Sequence, residues 1–135
     1  MIYNVQGVPA YCYTGGKPFD GAQPTVAFIH GAQNDHSVFA LQTRYFAHHG
    51  FNVLAVDLPG HGRSAGPALA TVGEMADWLL ALLANAGVAK AMLVGHSMGS
   101  LVALEAAARA FDTSGRTALE IERLVMIGTC VPVPA

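Results

Sequence analysis

The sequence predicts an α/β domain, a mostly parallel sheet with helices on both faces. Three observations carry this. Short apolar runs alternate with stretches of helical periodicity along the chain. Thr25–Ile29 and Asn52–Val56 are close to continuously apolar, as strands buried on both faces are. The apolar runs end in clusters of Gly, Pro, Asp and His that read as loops. Strands alternating with helices imply right-handed crossovers and hence a parallel sheet.

The elements follow in order. Ile2 to Thr14 is rich in Val and Tyr and breaks at Gln6-Gly7, which predicts a β-hairpin. Gly15 to Pro24 is punctuated as a loop, and Thr25–Ile29 is the next strand. Ser37 to His49 reads as a helix, its last-turn histidines suiting the dipole and Gly50 the residue just past the end. Asn52–Val56 is a strand, followed by a Gly- and Pro-rich loop to Ala70. Thr71 and Glu74 have capping-box spacing, and the helix they open runs to about Ala86. Met75, Trp78, Leu79, Leu82 and Leu83 give it one apolar face. A strand at Ala91–Val94 leads into a helix from about Met98 to Phe111. That helix is apolar on nearly every side, so it is expected to be central and buried. Asp112 to Ala118 is a loop, and Arg123 to Gly128 is the last strand.

Composition narrows the class. The 135 residues make one domain at most, or part of one. Charged residues are 12%, against a typical share of about 25%. So low a share fits elements buried on both faces, or a surface meant to be covered by further chain. Seven basic residues in a net charge of −2 leave no footprint for nucleic acid. No apolar run reaches the roughly 18 residues of a membrane span, and the N-terminus lacks a signal-peptide pattern. A cytoplasmic protein is expected. Cys12 and Cys130 make no metal-ligand spacing and read as small buried residues in a reduced compartment.

The chemistry concentrates in Ala91-Met92-Leu93-Val94-Gly95-His96-Ser97-Met98-Gly99-Ser100, a strand running into Gly-x-Ser-x-Gly and then a helix. This is the pattern of a nucleophile elbow, with Ser97 on a strained turn. Gly95 and Gly99 flank it because a side chain at either place would crowd the strand–helix crossing. The helix aims free N–H groups and its positive dipole end at the serine. An elbow serine needs a base, yet all six histidines, His30, His36, His48, His49, His61 and His96, precede or adjoin Ser97 and none follows it.

Three blocks together resemble a family. They are His30-Gly31-Ala32, Asp57-Leu58-Pro59-Gly60-His61-Gly62-Arg63-Ser64 and Gly95-His96-Ser97-Met98-Gly99. In this order they look like the N-terminal half of an α/β-hydrolase-fold serine hydrolase, nearest its esterase, lactonase and C–C hydrolase branch. The resemblance implies that residues 1–135 are one incomplete core domain with the first six strands of the sheet. Its lid, triad acid and triad histidine would then follow Ala135.

The resemblance implies roles. Ser97 would attack an acyl carbonyl and form an acyl-enzyme. The backbone N–H groups of Met98 and Ala32 would form the oxyanion hole. Gly31 and His96 would line the pocket. His96 is next to Ser97 in sequence, but its side chain projects differently on a sharp turn, so pocket lining is preferred over a base role. His30 and His61 are expected to hold loops by local hydrogen bonds. Asp35 and His36 shape the pocket mouth or cap the following helix, with the cap preferred. Asp57 reads as a loop-stabilising carboxylate, and His30-Gly31, Asp57, Ser97 and Thr129 should share the carboxyl edge of the sheet. Glu105 and Asp112 lie on or beyond a helix and do not suit a triad acid.

No metal-ligand or dinucleotide motif is complete, so no metal and no cofactor are expected. The expected partner is a small-molecule substrate, with no nucleic acid and no membrane. The expected activity of the parent enzyme is hydrolysis of a small ester, lactone or related carbonyl compound, this chain alone being inactive. The alternatives are an acyltransferase of the same fold, or a non-catalytic module that self-associates or pairs with a complementary chain through an exposed sheet edge.

Overall fold

A computed structural model describes residues 1–112 and 119–128. Strands β1 (Ile2–Val5) and β2 (Val8–Tyr13) form a hairpin, followed by β3 (Thr25–Ile29). A 3₁₀ turn (His36–Phe39) leads into α1 (Ala40–His48) and β4 (Asn52–Val56). Then come α2 (Val72–Asn85), β5 (Lys90–His96), α3 (Met98–Asp112) and β6 (Glu120–Ile127). The six strands make one sheet in the order β1-β2-β4-β3-β5-β6.

The hairpin turns where the sequence breaks. Gln6 and Gly7 have φ of +53° and +82°, the two positive values that match a tight turn to strand twist. β2 then pairs antiparallel with β4, Cys12 opposite Val56. From β4 to β6 every pairing is parallel, with β3 between β4 and β5. β3 and β4 are buried along their whole length, as their apolar sequences require. The described residues therefore form a mostly parallel α/β sheet with helices on both faces.

Two cores result. On one face α2 and α3 cover Ala27, Ile29, Leu54, Val56 and Leu93, with Trp78, Leu79 and Leu82 of α2 at the centre. On the other, Phe39 and Ala47 pack on Val26, Phe28, Val53 and Ala55. Cys12 is fully buried in the first core, and burial pushes its thiol up to about 12, so it is inert. Arg109 of α3 ties the helices together. Its guanidinium reaches Asp77 at 2.7 Å, Glu105 at 2.9 Å and the Gly73 carbonyl at 2.9 Å.

Two boundaries and the burial of one helix differ from the sequence reading. The helix after β3 starts as a 3₁₀ turn, because the Asp35 side chain accepts from Ser37 N–H and caps that turn, not α1. β6 begins at Glu120, three residues early, since pairing with Lys90 extends it through an acidic stretch. α3 is not buried all round: Leu104 and Phe111 are exposed, and only its Val102–Ala103–Ala106–Ala110 side meets the core. The capping box is also shifted. Glu74 N–H donates to Thr71 Oγ1, but its carboxylate reaches back to Ala70 N–H.

Candidate active site

Ser97 occupies the single residue between β5 and α3, with φ of +55°. A non-glycine residue there is strained, and the strain is held from several sides. Ser97 N–H donates to Ile127 O of β6 at 2.9 Å. Its carbonyl accepts from Ser100 N–H at 3.0 Å and from Ser100 Oγ at 2.5 Å. The glycines on either side allow the crossing. A Cβ on Gly95 would meet the Gly99 carbonyl, and one on Gly99 would meet the carbonyls of Ile29 and His30. Strand β3 and helix α3 thus touch backbone to backbone beneath the serine.

Gly31 lies against the same turn. A Cβ built on it would stand 3.1 Å from Ser97 Cβ and 3.4 Å from the His96 carbonyl. The His30-Gly31-Ala32 block and the serine turn are therefore neighbours across the β3–β5 pairing, in which Ile29 sits opposite Gly95. Ala32 follows at once and is exposed, and Met98 opens α3.

The loops around the site are tied to one another. Asp57, at the end of β4, is fully buried. Its Oδ1 accepts from His36 N–H at 2.7 Å and faces His36 Nδ1 at 2.9 Å, and its Oδ2 accepts from Arg63 N–H at 2.9 Å. Gly62 packs so closely that a Cβ would strike the carboxylate. Asp57 is a loop-holding carboxylate in this geometry. His36 is its partner, with the ring beside Tyr11 and Tyr13 at centroid distances of 5.2 and 5.5 Å. Spacing alone gave no signal for that pair, since the two residues sit in loops after different strands.

His30 is fully buried. Its Nε2 accepts from Leu58 N–H at 3.0 Å and its Nδ1 lies 2.6 Å from the Gly31 carbonyl. Burial lowers its pKa. The Gly31 hydrogen bond and the Asp57 and Asp35 carboxylates act against that, and neighbouring His61 adds to it. The His61 ring lies 5.1 Å from that of His30, and its own Nδ1 is 3.0 Å from the Pro59 carbonyl. Both rings hold loops. Hydrogen bonds from Ser37 hold the Asp35 carboxyl below its usual range.

His96 points into a groove of about 150 Å³ between the sheet and α1, lined by Phe28, Phe39, Val94 and Ile127. Its Nδ1 is buried without a hydrogen-bond partner among the described residues. Thr129 and Cys130 lie outside the described residues. Asp35, His36 and Asp57 bring three potential metal ligands within 4.8 Å of one another, a grouping the sequence reading did not foresee. Their donor atoms are already engaged in the cap and the His36–Asp57 pair, so the geometry is that of a loop clasp.

Comparison with known proteins places this arrangement. The family model of the alpha/beta hydrolase fold matches residues 24–135, and the chain belongs to that family. A dihydrolipoyllysine-residue acetyltransferase component of the acetoin cleaving system of Cupriavidus necator is 41% identical over 91 residues. That match takes in 64% of this chain and 23% of the relative. Among solved structures, a membrane phospholipase A described as a bacterial virulence factor superposes with a TM-score of 0.85 and 28% identity. It covers all of this chain and 41% of its own. The enol-lactonase of Burkholderia xenovorans gives a TM-score of 0.74 and 28% identity, over 83% of this chain and 43% of its own. The chain thus spans less than half the length of each of these relatives. No helix among the described residues is long and apolar enough to cross a membrane.

Proposed function

We propose that this chain is the nucleophile-bearing part of a cofactor-independent serine hydrolase acting in the cytoplasm on a small ester, lactone or related carbonyl compound. The observation that carries the reading is Ser97 at φ of +55° between a parallel strand and a helix start, with Gly31 packed against it. In the proposed reaction a base takes the Ser97 hydroxyl proton as Oγ bonds to the acyl carbon. The carbonyl electron pair moves onto oxygen, where the N–H groups of Met98 and Ala32 meet it. Collapse of this intermediate expels the alcohol, protonated by the same base, and leaves the acyl-enzyme. Water then repeats the sequence and frees the acid. We do not assign the base to His30, His36 or His61, whose ring nitrogens already hold loops. The substrate pocket is assigned to Gly31 and His96 on this side.

A second reading, acyl transfer to an alcohol in place of water, draws on the acetyltransferase component among the relatives. A fluorophosphonate probe with added imidazole as a diffusible base tests the common first step. Labelling at Ser97 that imidazole accelerates, and that denaturation or Ser97→Ala abolishes, is expected. Labelling no faster than that of the unfolded chain would leave a binding module that pairs with a complementary chain. Product analysis in water–alcohol mixtures, on the protein that supplies the base, separates hydrolysis from transfer.

A further inference from the structure

The loop after β3 closes into a tight turn beside the serine. Asn34 N–H donates to Gly31 O at 3.2 Å, and Gln33 between them has a φ of +62°. A non-glycine residue in the left-handed region is uncommon, and such strain gathers where a site needs a fixed geometry. The turn brings the Asn34 side chain back over Gly31. A Cβ built on Gly31 would stand 3.4 Å from Asn34 Nδ2 and 3.1 Å from Ser97 Cβ. The amide nitrogen and the serine side chain therefore flank one methyl-sized space, which Gly31 leaves open. Asn34 is exposed. Its bond to Gly31 comes from the backbone, and its side chain has no hydrogen-bond partner among the described residues. The amide nitrogen therefore offers its N–H donors to whatever enters beside Ser97.

We propose that Asn34 is a substrate-recognising residue: its side-chain amide donates to an oxygen on the acyl chain, one carbon beyond the scissile carbonyl, and so selects α-alkoxyacyl and α-hydroxyacyl esters over plain alkanoyl ones. This role rests on the reading of Ser97 as the acyl-accepting nucleophile. In the proposed reaction the N–H groups of Met98 and Ala32 meet the carbonyl oxygen, so the amide is left for the next polar atom of the acyl chain. The acyl carbon is bonded to Ser97 Oγ, one bond from the Cβ that faces Asn34 across the gap. An oxygen on the neighbouring carbon comes within the roughly 2.9 Å of an N–H···O bond. An alkyl chain in the same place strips water from the amide and returns no acceptor. The preference reflects this loss as much as the bond itself, and is on the order of tenfold for one neutral hydrogen bond.

The test uses para-nitrophenyl methoxyacetate and para-nitrophenyl butyrate, whose acyl groups have one length and differ by an ether oxygen in place of a methylene. With imidazole as diffusible base, Ser97 Oγ bonds to the acyl carbon, its proton passes to imidazole and para-nitrophenolate leaves. Intact mass follows the acyl-enzyme, and the reaction of each ester with imidazole alone gives its intrinsic reactivity. The unmodified chain is expected to favour methoxyacetyl on the order of tenfold beyond the intrinsic ratio. Asn34→Leu, of similar shape, and Asn34→Asp, which stays polar but loses the donor, are both expected to return the ratio to the intrinsic value. An unchanged ratio in both variants overturns the proposal. An equal loss of rate for both esters makes Asn34 a donor to the carbonyl oxygen and overturns its role in choosing the acyl chain. A second readout needs no variant: the Asn34 side-chain amide proton resonance is expected to differ between the methoxyacetyl and butyryl forms of Ser97. Identical shifts in the two forms overturn the contact. If neither ester nor the fluorophosphonate labels Ser97, the hydrolase reading fails and the role of Asn34 falls with it. A labelled Ser97 without the preference sinks the role of Asn34 alone.

Discussion

His36 Nδ1 lies 2.9 Å from Oδ1 of Asp57, a carboxylate with no solvent exposure, and the same oxygen accepts the His36 backbone N–H at 2.7 Å. Two bonds from one residue thus clamp the loop after β3 onto the end of β4. A third, from Arg63 N–H, draws in the loop after β4. The clamp makes one rigid rim of two loops that the chain separates by a helix and a strand.

Removing the buried carboxylate leaves the His36 and Arg63 N–H groups without their acceptor. Asp57→Ala is expected to destabilise the chain by about 3 kcal/mol, the range for charge-assisted bonds lost in a buried place. Asp57→Asn should cost less, since an amide oxygen still accepts. Urea unfolding of the two variants beside the parent checks this, and equal midpoints for all three would refute the clamp.

The glycines divide by mechanism. Gly99→Ala would drive a methyl into the Ile29 and His30 carbonyls, where rigid backbone cannot yield. Several kcal/mol are expected, beyond the usual ~1–3 kcal/mol for overpacking. Gly50 has open space around a built Cβ but a φ of +87°. Its alanine variant should cost only the left-handed conformation, about 1–2 kcal/mol. Thermal unfolding of both variants distinguishes the two costs, and a Gly50→Ala loss as large as that of Gly99→Ala would contradict the assignment.

The lowered pKa of His30 makes stability depend on pH in a definite direction. The unfolded chain takes up the proton near the ordinary histidine value of about 6.5, and the folded chain only below it. Between the two values the unfolded state binds more protons, so stability rises with pH there. The contribution is present above about pH 6.5 and is lost as pH falls through that value toward the folded pKa. The urea midpoint of the parent should therefore drop over this window. His30→Gln should flatten the drop, and an unchanged slope would assign it to another group.

Where the fold was legible in the sequence, local physics decided the outcome. β3 and β4 read clearly because both are enclosed and so apolar at nearly every position. The Gln6-Gly7 turn and the serine turn read clearly because both demand positive φ. The start of β6 is hidden in the sequence because Glu120 and Glu122 interrupt its apolar period. α3 looked buried all round because its alanines pack as readily on one face as on four, so composition cannot say which side meets the core. The site divides the same way. Ser97 and its glycines lie in one contiguous motif. The His36–Asp57 clamp and the His30–Leu58 hydrogen bond join loops from neighbouring strands. Only the strand order, with β3 beside both β4 and β5, brings them together.

Among the described residues β6 is the outermost strand of the sheet, and its one strand neighbour is β5. On the side away from α3 its Val125 and Ile127 remain 47% and 45% exposed. They extend an apolar face through Val94, next to the groove that His96 enters. The 3₁₀ turn and α1 cover Val26, Phe28, Val53 and Ala55 on that face and the cluster reaches Val94 of β5, so among the described residues the exposed part is on β6. An edge with open N–H and C=O groups beside exposed valine and isoleucine is a template for another strand. The chain is therefore expected to associate with itself, or with a complementary polypeptide, as concentration rises. Val125→Lys places a charge on that edge, the device natural sheets use against pairing, and should shift association to higher concentration without loss of secondary structure. Light scattering over a concentration series on both proteins checks this. A monodisperse monomer at every concentration, with a sharp thermal transition, would show that β6 needs no partner.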